Sequence, residues 1–287
     1  MSSFAIAQVI GGCCLNVIEL EELLVDLPTI GVTLTFFHFL IVMLMHLKDF
    51  SLPLKVPLRW WIVMAFLFWL SNTLNNMAFG YKVSVPLHII LRSSSLVLTI
   101  LIGLLIGKRY TTTQIMSMLL VSFGLLLSTY QPDGLFYSHG LILLFIGQVC
   151  SVLLGFIQEY VYATYGKHWK EALIATHLLG TPMFLFFSTQ IYSDVLVVVK
   201  NNMLKPFLLN IGSQLFCIRG VNELASTGSA LTLNLVLTLR KYASLWISMY
   251  LFGNSLSILQ ISGAIIVIVG TIIYANDPQK NKTNKQL

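Results

Sequence analysis

Ten stretches of apolar residues, each about as long as a bilayer is thick, take up nearly all of this 287-residue chain. They lie near 4–24, 30–47, 58–80, 84–107, 113–130, 139–161, 171–192, 204–224, 227–251 and 256–275. A helix rises about 1.5 Å per residue, so about 20 apolar residues cross a hydrocarbon core of about 30 Å. In that solvent every backbone N–H and C=O must find its partner within the structure, which makes each run a helix. The sequence therefore predicts an all-α integral membrane protein with ten transmembrane helices. One membrane domain covers 1–275, and a polar tail covers 276–287. Charged residues make up only 10% of the chain, which excludes a soluble globular domain.

The formal charge of +6 is placed asymmetrically. With the N-terminus in the cytosol, the loops on that side carry Lys48, Lys55, Arg59, Lys108, Arg109, Lys167, Lys170, Lys280, Lys282 and Lys285. The opposite loops carry Lys82, Lys200 and Lys205. Ten against three is the positive-inside bias, so both termini and the tail are expected in the cytosol. The charge thus reports topology rather than a nucleic-acid partner, and the partner it implies is the lipid bilayer. The first span lacks a basic leader and carries Glu19, Glu21 and Glu22 near its end, so it reads as a retained helix. Cys13, Cys14, Cys150 and Cys217 all fall within spans, where apolar packing rather than disulfide formation is expected. No cluster of metal-ligating side chains stands out, and neither metal nor cofactor is expected.

The chain also repeats itself. Gly107, Gln114 and Gly124 have the spacing G-x6-Q-x9-G, and Gly253, Gln260 and Gly270 reproduce it 146 residues later. Leu91-Arg92 and Leu239-Arg240 lie upstream of the two copies. Five spans per half is an odd number, so a second copy enters the membrane upside down. Two inverted five-helix repeats, about 1–130 and 139–275, are the predicted plan. Such repeats commonly hold cargo between them near the midplane.

Cations deep in the spans carry the functional argument. Arg92 lies in the fourth span and Arg240-Lys241 in the ninth. A charge at the bilayer centre costs about 3 kcal/mol or more, so it usually faces an internal cavity. At helical spacing, His88, Arg92, Ser95 and Thr99 share one face, as do Asn234, Thr238, Lys241, Ser244 and Ser248. The sixth span offers Gln148, Ser151, Gly155, Gln158/Glu159 and Tyr162, and the third Asn72, Asn75 and Asn76. Hydroxyls can instead bond their own preceding carbonyls, and isolated polar groups can tie helices together. His38 and His177, alone on apolar faces, are expected to make structural hydrogen bonds. A cationic interior without a matching run of acids suits an anionic, phosphorylated guest.

The same residues carry a resemblance. Gly12-Cys-Cys-Leu-Asn-Val-Ile18 with Glu21, Asn75-Asn76, and Val85-Pro-Leu-His-Ile-Ile-Leu-Arg-Ser-Ser-Ser-Leu96 open it. Gln158-Glu159 with Tyr162, Gly166-Lys-His-Trp-Lys-Glu-Ala-Leu173 and Cys217-Ile-Arg-Gly220 continue it. Leu231-Thr-Leu-Asn-Leu-Val-Leu-Thr-Leu-Arg-Lys241 and Gly270-Thr-Ile-Ile-Tyr274 complete it. Through most of its length the chain resembles the nucleotide-sugar transporters of the drug/metabolite transporter superfamily, in their UDP-N-acetylglucosamine/UDP-xylose branch.

That resemblance implies an antiporter rather than an enzyme. It would move a UDP-sugar, UDP-N-acetylglucosamine first and UDP-xylose as the alternative, from the cytosol into the Golgi or endoplasmic reticulum lumen in exchange for UMP. It also implies phosphate binding by Arg92, Arg240 and Lys241. Asn75, Asn76, His88, Gln158, Glu159 and Tyr162 complete the expected binding set. Glu19 and Glu22 stand where the family has apolar residues, and the 131–138 loop is shorter than usual. A proton-coupled exporter built on Glu159 is the rival within the transporter class. The glycines would also permit a homodimer.

Overall fold

The computed structural model describes residues 3–49, 53–81, 83, 88, 91–92, 94–129, 139–227, 230–253 and 257–275. All regular structure among them is helical. The α-helices are α1 (Ser3–Asp26), α2 (Gly31–His46), α3 (Leu58–Met77), α4 (Ser95–Leu105), α5 (Thr112–Thr129) and α6 (His139–Tyr165). They continue as α7 (Trp169–Gly180), α8 (Ser188–Lys200), α9 (Leu204–Thr227), α10 (Ala230–Phe252) and α11 (Ile258–Ala275). A 3-10 stretch, Thr181–Phe187, joins α7 to α8 with Pro182 in its first turn. Proline has no N–H for the α-helical ladder, so the helix tightens there without ending. The described helices thus make ten passes, with Leu91 and Arg92 helical ahead of α4. Four runs, Phe4–Asp26, Leu58–Tyr81, His139–Tyr165 and Trp169–Lys200, are each long and apolar enough to cross a membrane. Gly31–His46, Thr112–Leu127 and Ile258–Tyr274 are shorter apolar helices.

The repeated G-x6-Q-x9-G spacing has the same physical content in both copies. Gly107 and Gly253 take φ of +83° and +64°, a left-handed turn that glycine adopts without a Cβ penalty. Next comes a reciprocal cap. Thr111 N donates to Gln114 Oε1 while Gln114 N donates to Thr111 Oγ1. Ser257 N donates to Gln260 Oε1 while Gln260 N donates to Ser257 Oγ. Both are Ser/Thr-x-x-Gln capping boxes that start a helix.

The last glycine of each copy lets α5 and α11 touch. A Cβ on Gly124 would lie 2.7 Å from Gly263 O, and one on Gly270 would lie 2.9 Å from Val121 Cγ2. Gly124→Ala is therefore expected to destabilise by about 1–3 kcal/mol through overpacking. Gly11→Ala, on open helix surface, should instead stabilise by up to about 1 kcal/mol. Melting curves of the two variants in one detergent read the opposite signs.

The cysteine expectation needs correcting. Cys13 and Cys217 form a disulfide between α1 and α9, with Cα atoms 4.8 Å apart. Cys14 and Cys150 are buried free thiols. The pairing follows from how closely α1 lies along α9. A Cβ on Gly12 would sit 2.8 Å from Cys217 N, and one on Gly220 would sit 2.8 Å from Ala5 O. Two glycines therefore bring the backbones to disulfide range without any loop framework.

Two apolar layers frame the interior. Ala5, Val9, Trp61, Met64, Val161 and Leu224 pack together at the end where α1 begins. Leu23, Ile30, Leu34, Val198 and Phe207 pack together at the end where α1 finishes. In the link before α3, Lys55 N and Val56 N donate to the buried Glu171 carboxylate at 3.1 and 3.2 Å, and Trp61 Nε1 donates at 2.9 Å. One acid on α7 thereby anchors the start of α3.

Candidate functional site

Between those layers lies a cavity of about 210 Å³, lined from α1, α2, α3, α6, α7, α9, α10, the start of α4 and the residues just ahead of it. Among the described residues, three cations line it: Arg92, Arg240 and Lys241. No carboxylate is among the described residues lining it. The two arginines are within electrostatic range of each other. Arg92 Nε and Arg240 Nε are buried and have no hydrogen-bond partner. Buried donors normally find partners, and buried charges are normally paired. Unpartnered guanidinium N–H groups beside a third cation leave the cavity strongly receptive to an anion.

Lys241 is held differently. Its Nζ donates to the backbone carbonyl of Arg92, and to Ser95 Oγ at 3.2 Å. The ninth pass is thereby tied to the fourth at the cation cluster. Ser244, also lining the cavity, donates to Cys14 Sγ at 3.3 Å.

Of the other residues expected from the sequence, Asn76, His88 and Gln158 line the cavity. Asn76 Nδ2 donates to Thr35 Oγ1 at 2.6 Å. His88 Nε2 pairs with Asn75 O at 2.8 Å while its ring stacks on Phe79, centroids 4.2 Å apart. Asn75 stands behind this layer, where its Oδ1 accepts from Gln148 Nε2 at 3.1 Å. Glu159 does not line the cavity, and it pairs with Lys108 at 2.7 Å. Tyr162 is buried in the apolar layer beside Leu233 and Val236. In the fourth-span stripe, Thr99 is buried and donates back to Ser95 O. The side chains of Asn234 and Thr238 lie outside the described residues.

The structure adds Asn16, His38 and Asn210 to the lining. His38 Nε2 meets Asn210 Oδ1 at 2.8 Å, Asn210 Nδ2 donates to Asn16 O at 2.8 Å, and Asn16 Nδ2 donates to Asn210 O at 2.9 Å. The structural hydrogen bond expected of His38 is present, and the ring also faces the cavity. His177 likewise bonds Leu173 O at 2.7 Å. The available signal was a mid-span asparagine on each of two spans, Asn16 on the first and Asn210 on the eighth, among several other polar residues in both.

The cavity can therefore hold an anion at one cluster while amides and imidazoles offer hydrogen bonds around it. Its volume lies below the range of about 300–1,000 Å³ usual for small-molecule sites, so a large cargo needs the helices to part.

Comparisons with known proteins point to a transporter family. The UAA transporter family matches residues 1–278. A UDP-N-acetylglucosamine transporter of Schizosaccharomyces pombe is 35% identical over 99% of this chain and 98% of its own. A UDP-N-acetylglucosamine transporter of Saccharomyces cerevisiae is 34% identical, covering 94% of this chain and 93% of its own. A UDP-xylose and UDP-N-acetylglucosamine transporter of Danio rerio is 33% identical, covering 94% and 92%. A solved crystal structure, 11% identical, superposes with a TM-score of 0.63 over 99% of this chain and 98% of its own, which shows a shared fold.

Proposed function

We propose, from the premise that this chain belongs to the UAA transporter family, that it is a nucleotide-sugar carrier exchanging a UDP-sugar for UMP. UDP-N-acetylglucosamine is the first choice of cargo and UDP-xylose the second, following the relatives' names. The observation that carries the reading is a cavity with Arg92, Arg240 and Lys241 on its wall and no carboxylate among its described lining residues. An arginine fork grips phosphate oxygens bidentately, and a lysine adds a compact point charge. The pyrophosphate lies at that cluster. Asn76, His88 and Gln158 serve the uracil, ribose or sugar, whereas Asn75 and Tyr162 act through the residues packed on them. The matching local structure of the two G-x6-Q-x9-G copies supports a pair of inverted repeats. The distribution of loop lysines supports cytosolic termini. Delivery runs from the cytosol into the Golgi lumen, with the endoplasmic reticulum as the alternative compartment. The family is one of transporters, so no catalytic group is assigned.

Counterflow tests the reading. Proteoliposomes preloaded with UMP are expected to accumulate labelled UDP-N-acetylglucosamine, to take up UDP-xylose to some degree and to ignore GDP-mannose. Equal uptake of all three, or uptake that needs no internal nucleotide, defeats it. A second measurement follows from charge. A UDP-sugar and UMP each carry close to two negative charges near pH 7, the second phosphate pKa being about 6. Exchange should therefore respond little to an imposed membrane potential, and a steep response counts against UMP as the counter-substrate.

A further inference from the structure

Two carboxylates that the binding reading leaves over sit in comparable places at opposite ends of the cavity. Gln158 lines the cavity, and the next residue, Glu159, pairs with Lys108 at 2.7 Å. Leu20 lines the cavity, and the next residue, Glu21, accepts a hydrogen bond from Ser248 Oγ at 2.6 Å. The first contact joins the C-terminal end of α6 to the link just past α4. The second joins the C-terminal ends of α1 and α10. In an alternating bundle the first and ninth passes end on one face, and the fourth and sixth end on the other. The two contacts therefore sit at opposite mouths. Each also fastens a helix that leads from or carries the cavity cations, Arg92 ahead of α4 and Arg240-Lys241 within α10.

We propose that Lys108–Glu159 and Glu21–Ser248 are the two latches of alternating access, released one at a time as each mouth opens. This rests on the carrier reading. The latches differ in kind. The Lys108 and Glu159 side chains are 20% and 23% exposed, and Lys108 Nζ also stands 4.9 Å from the Phe156 ring centroid, so α6 holds it twice. A partly exposed ion pair contributes little, so it yields easily when cargo arrives. The Glu21 contact is buried, and a hydrogen bond to a carboxylate is about twice as strong as one between neutral groups. The mouth at Glu21 is thus the slower to open. Its orientation makes that the luminal one if both termini are cytosolic.

Removing a latch shifts the carrier toward the state open at that mouth, and apparent affinity from a given face scales with the fraction open there. With Glu159→Gln, the half-saturating concentration of UDP-N-acetylglucosamine should fall at the Lys108 face of oriented proteoliposomes and rise at the other. The size follows from a weak ion pair, about two- to five-fold. Ser248→Ala should give the opposite pair of shifts. The double exchange Lys108→Glu with Glu159→Lys should restore wild-type values where each single change does not. Affinity lost from both faces in Glu159→Gln, without recovery in the exchange, would make Glu159 a cargo ligand and overturn the proposal. So would Ser248→Ala and Glu159→Gln shifting the same face, or neither variant shifting anything. A wild-type carrier with no nucleotide-sugar flux would sink the carrier reading instead. Hydrogen exchange then decides on the latch alone. Amides at 106–111 should exchange faster in Glu159→Gln and recover in the double exchange, and equal rates reject it.

Discussion

Arg92→Ala should lower UDP-sugar counterflow by about 10- to 100-fold at subsaturating cargo, and Lys241→Ala should do the same. A hydrogen bond to a charged partner contributes about 1.5–3 kcal/mol, and each 1.4 kcal/mol is a factor of ten. The two sites are not equivalent. Arg92 Nε has no hydrogen-bond partner, so its loss removes cargo contacts and one end of the repulsion with Arg240. Lys241 also ties α10 to the Arg92 carbonyl and Ser95, so its loss additionally loosens the empty carrier. Lys241→Ala should therefore raise UMP leak without external cargo, which Arg92→Ala should not. Arg92→Lys keeps the charge but not the two-pronged grip, and belongs between wild type and alanine. Unchanged flux in the Arg92, Arg240, Lys241 triple alanine variant would end the assignment of the cavity as the cargo site.

Glu171→Ala should cost about 3 kcal/mol or more, the largest effect expected away from the cavity. Its carboxylate accepts from two backbone N–H groups and an indole, and each buried donor left without a partner costs about 1–3 kcal/mol. Trp61 is fully buried, so water does not readily replace the lost acceptor. Detergent melting curves and yield read the loss. Glu171→Gln retains one acceptor oxygen and should recover part of it. Melting unchanged by both substitutions would show that the start of α3 is held by its apolar packing alone.

What the sequence revealed depended on whether the chemistry was local. The ten spans were visible because solvent dictates them residue by residue. The G-x6-Q-x9-G copies were visible because a left-handed glycine, a capping glutamine and a packing glycine act at short, fixed spacing. Helical periodicity put His88, Arg92 and Ser95 on one wall, and the cavity contains all three. It failed where a face ends or turns. Asn75 and Asn76 are neighbours about 100° apart around α3, so only Asn76 reaches the lining. Gln158 and Glu159 divide in the same way. Tyr162 continues the stripe but lies one turn beyond the cavity, in the apolar layer. The sequence also read Cys13 and Cys217 as packing residues, because the distance between two passes far apart in the chain depends on where Gly12 and Gly220 meet the facing backbone.

The bond between Cys13 and Cys217 spans 204 residues of sequence and ties the first pass to the eighth. A protein cut anywhere between them, including the stretch around 130–138, would still migrate as one species on a non-reducing gel and separate into two only after thiol treatment. The same applies to a carrier produced as two separate polypeptides. Its halves would be captured covalently once they met, giving a direct way to ask whether five passes insert correctly without the other five attached.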